Sequence, residues 1–268
     1  MSTTRFESAT TAGGIHYETH GSGRPLFLGF PLMASHAEIF GAPAAALREG
    51  FLSRLTDRYR VVIADYPNIG HSHTPAPEQM TIERVCSDLL SVADAAGCAR
   101  FAYWGGTLGA IAGLRLAAST DRLAALVSVG WPPVGAPYAD MLRGASAGVG
   151  DPPMHARVIL RTPAQYAQWV TFYQSLANWS DSKAVSSIRC PRAVIYGEHG
   201  NSSVADIPLP LAHIIREQRG RLESLGWQVH EVAGADSALM LEPDKLVPIV
   251  RHWLDAAYDE AVVSEQGR

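Results

Sequence analysis

Residues 101–118 read FAYWGGTLGAIAGLRLAA, and the fold turns on how this stretch divides. FAYW is an apolar, β-prone run, and 107–118 is a small-residue helical pattern, so a strand passes into a helix across GGT. Gly105 and Gly109 stand two residues to either side of Thr107. A strand-to-helix turn this tight crowds its neighbours, and glycine tolerates the crowding. The residue at the apex is expected at positive φ, where a β-branched side chain sits only under strain. Threonine at 107 is therefore an unusual choice.

Outward from this turn, PLFLGF (25–30), RVVIAD (60–65), LAALVSVGW (123–131), PRAVIYG (191–197) and WQVHEVAG (227–234) are expected as strands. Helical patterns are expected at 80–98, 206–225 and 243–257. In the first of these Ile82, Val85, Leu89, Val92 and Ala95 share one face, and Gly97 is a stop. GGIHYETHGSG (13–23) predicts an N-terminal hairpin closing on Gly-Ser-Gly. Apolar strands alternating with helices predict an α/β fold with a mostly parallel, doubly wound sheet covered on both faces. Residues 132–188 break the alternation and carry Trp169, Phe172, Tyr173 and Trp179. They are expected as a small helical cap, with the core in 1–131 and 189–258 and a flexible tail in 259–268.

The bulk properties narrow the partners. The chain has 268 residues, 47% hydrophobic and 18% charged, with a formal net charge of −4. That balance argues against nucleic acid or an anionic membrane as the main partner. No apolar stretch reaches the ~18–20 residues of a membrane span. The start, MSTTRFESAT, lacks the apolar core of a signal peptide. Cys86, Cys98 and Cys190 have no CxxC spacing and suit buried thiols in a reducing compartment, so a cytoplasmic location is expected. Neither a cofactor nor a metal site is expected, and oligomeric state is not set at this level.

Four segments, in this order, resemble the α/β-hydrolase superfamily over essentially the whole chain: YETHGSGRPLFLGFP, DYPNIGHS (65–72), YWGGTLGAIAGLRLAA and PRAVIYGEHG. The resemblance implies the α/β-hydrolase fold and assigns three catalytic positions. The nucleophile position at the elbow is Thr107, the histidine position after the last strand is Ser237 in GADSALMLEP, and the acid position in YGEHG is Gly200. A serine has no basic state comparable to imidazole near neutral pH. His230 is seven residues early and lies within the strand. The expectation is a degenerate triad, a pattern of loss similar to that of the bottromycin peptide epimerase. The backbone N–H of Leu108 and one from the Phe30–Met33 turn remain as oxyanion donors, or else simply cap the helix.

The expected ligand pocket is lined by Phe30, Leu32, Met33, Leu108, Trp131, Pro133, Tyr138, Met141, Trp169, Tyr173, Ala238 and Leu239. Such a lining suits a hydrophobic small molecule or modified peptide. For the cap aromatics, packing on one another as a small core is the competing reading. His36 is a candidate relocated acid/base, set against a purely structural role at a helix start. His71 and His73 form an H-x-H without an evident third ligand. Asp65 is expected to fix its turn by hydrogen bonding, and Asp236 is the carboxylate nearest the old histidine position. The functional expectation is a non-hydrolytic enzyme of secondary metabolism that promotes epimerisation, isomerisation or cyclisation. An atypical threonine-dependent esterase and an inactive ligand-binding protein are the alternatives.

Overall fold

The computed structural model describes residues 6–266. In chain order the first part comprises β1 (Phe6–Thr10), β2 (His16–His20), β3 (Arg24–Leu28), α1 (His36–Phe40), α2 (Ala42–Leu52), β4 (Tyr59–Ala64), α3 (Ile82–Ala95), β5 (Phe101–Gly106), α4 (Leu108–Ser119) and β6 (Leu123–Val129). Four short helices follow: α5 (Tyr138–Ala147), α6 (Met154–Ile159), α7 (Ala167–Gln174) and α8 (Asp181–Ser187). The chain closes with β7 (Arg192–His199), β8 (Ser202–Val204), β9 (Ile207–Leu209), α9 (Leu211–Glu217), α10 (Arg219–Ser224), β10 (Trp227–Asp236) and α11 (Pro243–Gln266).

Eight strands form one sheet in the order β1-β2-β4-β3-β5-β6-β7-β10. Every neighbouring pair from β4 to β10 is parallel, and only the β1–β2 and β2–β4 pairs are antiparallel. The sheet separates two cores. One contains α3, α4 and the segment between β6 and β7; the other packs α2 and α11 on the opposite face. Helix α3 forms as its spacing requires, with Ile82, Val85, Leu89 and Val92 buried and the Thr81 hydroxyl accepting from the Arg84 N–H at 3.2 Å.

Three expectations are corrected. The N-terminal hairpin pairs β1 with β2 around residues 11–15, and Gly21–Gly23 instead turns the chain toward β3, which pairs with β4 and β5. Residues 206–225 are not one helix but the second strand of a small β8–β9 hairpin followed by α9 and α10. The last helix, expected to end at 257, runs through Gln266.

The segment between β6 and β7 is tied to the loop after β4. Asn68, fully buried, donates from Nδ2 to Gln168 Oε1 at 2.7 Å and accepts at Oδ1 from Gln165 Nε2 at 3.0 Å. Arg161 donates to the carbonyls of Gly70 and Ser72 at 2.7 and 2.9 Å. The roof over the end of the sheet is thus held by buried polar contacts as well as by packing.

Candidate active site

Thr107 stands at the apex between β5 and α4, with φ 43° and ψ −115°. The flanking glycines are required by contact. A Cβ on Gly105 would lie 2.6 Å from the Gly109 carbonyl carbon, and one on Gly109 would lie 2.6 Å from the Phe30 oxygen. The Gly106 N–H donates to that Phe30 oxygen at 2.8 Å, so elbow and β3 turn are clamped together. The Thr107 hydroxyl makes no capping hydrogen bond.

A cavity of about 510 Å³ opens above the elbow. Its wall brings together Thr107, Gly200 and Ser237, the three residues that the resemblance puts at the nucleophile, acid and histidine positions. Trp131, Met141 and Leu239 also belong to it. Among the described residues no histidine, lysine or arginine lines it, and its carboxylates are Asp236 and Asp151. Asp236 accepts from the Ala238 N–H at 2.8 Å, which starts the turn carrying Ser237. A Cβ on Gly200 would lie 2.8 Å from the Gly197 oxygen, so the acid position has no room for a side chain as the loop stands.

Much of the expected lining lies elsewhere. Phe30 and Leu32 face a separate void of about 20 Å³ beside the β3 turn. Met240 lines both spaces and stands between them; its sulfur is 3.4 Å from where a Gly106 Cβ would be. Met33, Leu108, Pro133 and Tyr173 are buried. Trp169 and Tyr138 are half-buried and pack on the same core, and Ala238 is exposed. The aromatic rings between β6 and β7 therefore serve largely as core, because four short helices must bury their apolar faces on something. Tyr138 packs 5.9 Å from Trp131, and burial first, then the nearby Asp181, raises its phenol pKa well above the ordinary value.

The two expected sources of oxyanion donors differ in what their N–H groups meet. Leu108 is the first helical residue and keeps an N–H with no carbonyl one turn before it. In the β3 turn, however, the Phe30 N–H donates to the Tyr66 hydroxyl at 3.1 Å, Pro31 has none, and the Leu32 N–H reaches Gly29 O at 3.3 Å. Within this turn the Phe30 N–H is thus already engaged by a buried tyrosine.

His36 does not line the cavity. It is buried beside Phe40, its rings 5.0 Å apart, and burial, then Arg48, lowers its pKa. The H-x-H pair is split: His71 Nε2 lies 2.7 Å from Glu38, and His73 Nε2 lies 2.9 Å from Arg84. Among the described residues no group of three or more His, Cys, Asp or Glu is placed to hold a metal. Asp65 fixes the β4 loop, accepting from the Ser35 N–H and hydroxyl at 2.8 and 2.6 Å and from the His71 N–H at 3.1 Å. Sequence reasoning missed Met240, Tyr166, the β8–β9 hairpin and the Gly144–Gly148 stripe, all in the cavity wall. Only the stripe had a signal, two glycines one helical turn apart.

Comparison with known proteins supports the fold. A family model described as alpha/beta hydrolase fold matches residues 39–151. A curated relative, "Putative carbamate hydrolase RutD" of Caulobacter vibrioides, is 38% identical over 127 residues, covering 45% of this chain and 44% of its own. The same-named protein of Enterobacter cloacae is 35% identical over 109 residues, 40% of each chain. The chain spans less than half the length of these curated relatives. Among solved structures, an esterase from Thermogutta terrifontis aligns with TM-score 0.66 at 20% identity, covering 94% of this chain and 99% of that one. An enol-lactonase from Burkholderia xenovorans aligns with TM-score 0.69 at 18% identity, covering 93% and 100%. The protein has the α/β-hydrolase fold. No helix among the described residues is long and apolar enough to cross a membrane.

Proposed function

We propose that this is a non-hydrolytic enzyme on the α/β-hydrolase scaffold, one that binds a largely apolar, carbonyl-bearing small molecule or modified peptide and promotes proton transfer, as in epimerisation or isomerisation. The observation that carries the reading is the cavity wall. Thr107, Gly200 and Ser237 line one cavity, and among the described residues no imidazole lines it. Acyl transfer needs a base that takes the nucleophile's proton and returns it to the leaving group. A threonine flanked by a serine and a glycine has neither that base nor its orienting acid.

Carbonyl polarisation does not need the triad. The Leu108 N–H starts α4, where aligned peptide dipoles favour developing negative charge. Such a donor can stabilise an enolate, and the base is then Asp236 or a group on the substrate itself. The absence of any cationic side chain from the wall among the described residues favours a neutral ligand body over an anionic one. Residues 132–188 serve in this reading as the cap that excludes water.

The curated relatives carry a hydrolase name, so the test sets the two chemistries against each other. The protein is treated with a fluorophosphonate and with p-nitrophenyl butyrate, and ligand captured by native mass spectrometry is incubated with it in D2O. Deuterium at a carbon α to a carbonyl, with no adduct on Thr107 and no p-nitrophenol burst, is the expected result. A phosphonylated Thr107 would assign hydrolysis. Tight capture with no exchange would assign binding alone.

A further inference from the structure

A second cleft, of about 620 Å³, lies at the opposite end of β7 and β10 from the elbow. The two strands are parallel, with Gln228 beside Ala193 and His230 beside Ile195. Alternation along the strands puts those four positions on one face. Helix α11 covers that face and presents Ile249, His252, Trp253 and Ala256, whose spacing of three and four puts them on one side of the helix. Arg189 and Arg192, at the entry to β7, complete the wall.

The charge of this cleft runs against that of the chain. The protein carries a formal net charge of −4 with histidine counted neutral, yet Arg189 and Arg192 line the cleft beside His230 and His252, and no carboxylate does among the described residues. The side chains of Arg189, His230 and His252 make no hydrogen bond or ion pair with any described residue. Arg192 spends one nitrogen on the Cys190 carbonyl at 3.0 Å and another on the Leu225 carbonyl, and its buried Nε has no partner. Two guanidinium groups and two imidazoles in the wall of one concavity, beside an indole, offer an anion several hydrogen-bond donors. Guanidinium forks match planar and tetrahedral oxyanions, and the half-buried Trp253 offers a flat apolar wall.

We propose that this cleft is a second ligand site, separate from the cavity at the elbow, that takes a small aromatic oxyanion. Arg189, Arg192 and the two imidazoles hold the anionic group, and Trp253 and Ile249 take the ring. The elbow cavity, whose described lining includes no cation, is suited to a different ligand.

The probe is 1-naphthyl phosphate, titrated calorimetrically into the full chain, with 1-naphthol as its uncharged counterpart. Arg189→Glu and His252→Glu alter exposed side chains that hold nothing else in place, and circular dichroism checks that both remain folded. One-site binding with Kd below about 1 mM is expected, weakened at least about tenfold by either substitution and at least about tenfold for 1-naphthol. The proposal is overturned by no binding up to about 5 mM, by full affinity in Arg189→Glu, or by equal affinity for 1-naphthol.

Discussion

Thr107 combines a backbone at φ 43° with a branched Cβ, which leaves its hydroxyl crowded and its conformation costly. If the residue acts only as cavity wall, Thr107→Ala should change turnover of the native ligand by less than about tenfold. A loss of about 10²-fold or more would restore it as a catalytic residue. Gly200 sharpens the same point. A Cβ there lies 2.8 Å from the Gly197 oxygen, a backbone atom that cannot swing aside as a side-chain tip would. The triple variant Thr107→Ser, Ser237→His, Gly200→Asp should therefore hydrolyse p-nitrophenyl acetate within about tenfold of the wild-type rate, and Gly200→Asp alone should cost about 1–3 kcal/mol in urea unfolding. An increase of about 10³-fold in the triple variant would show that the loop still accepts an acid.

At the scale of elements, the legible part of the fold was the part with strong periodicity. The runs at 60–65, 123–131 and 191–197 became β4, β6 and β7 because continuous apolar strands fit only a sheet covered on both faces. The β8–β9 hairpin was illegible for a specific reason. Its turn uses Ala205 and Asp206 at φ 44° and 62°, where glycine or asparagine would have announced it. Local motifs pointed to Thr107, Gly200 and Ser237, which line one cavity, but the rest of its wall was not legible, since it depends on how α5 meets that hairpin. Gly144 permits the meeting: a Cβ there would lie 2.5 Å from both Val204 methyls. Gly148 does the same for Tyr166, whose hydroxyl would be 2.5 Å from an added Cβ. Gly144→Ala should thus cost about 1–3 kcal/mol, despite alanine's better helix propensity. An unchanged or raised urea midpoint would mean that α5 and the hairpin do not pack this closely.

Across the whole molecule, the loops at the carboxyl ends of β3 and β4 form the support on which the roof rests. Asp65 binds the β3 excursion through Ser35, and Asn68 in the same loop holds the roof through Gln165 and Gln168. His36, next to Ser35, is buried in this support with Nδ1 unpartnered, and burial together with Arg48 lowers its pKa from the ordinary 6.5. A histidine held neutral in the folded state takes up its proton more readily when the chain is unfolded. Below the ordinary value the unfolded state binds more protons than the folded one, so stability falls as pH drops through 6.5 and levels off only below the lowered folded value. The urea midpoint of the wild type should accordingly fall between about pH 7.5 and about pH 5.5, and fall less in His36→Gln, which cannot take up that proton. Parallel losses in the two proteins would remove His36 as the source, and a midpoint that rose on acidification would contradict the sign of its shift. Because the support carries the roof, hydrogen exchange in residues 160–175 should speed up over the same interval in the wild type, linking the protonation of one buried ring to access to the cavity.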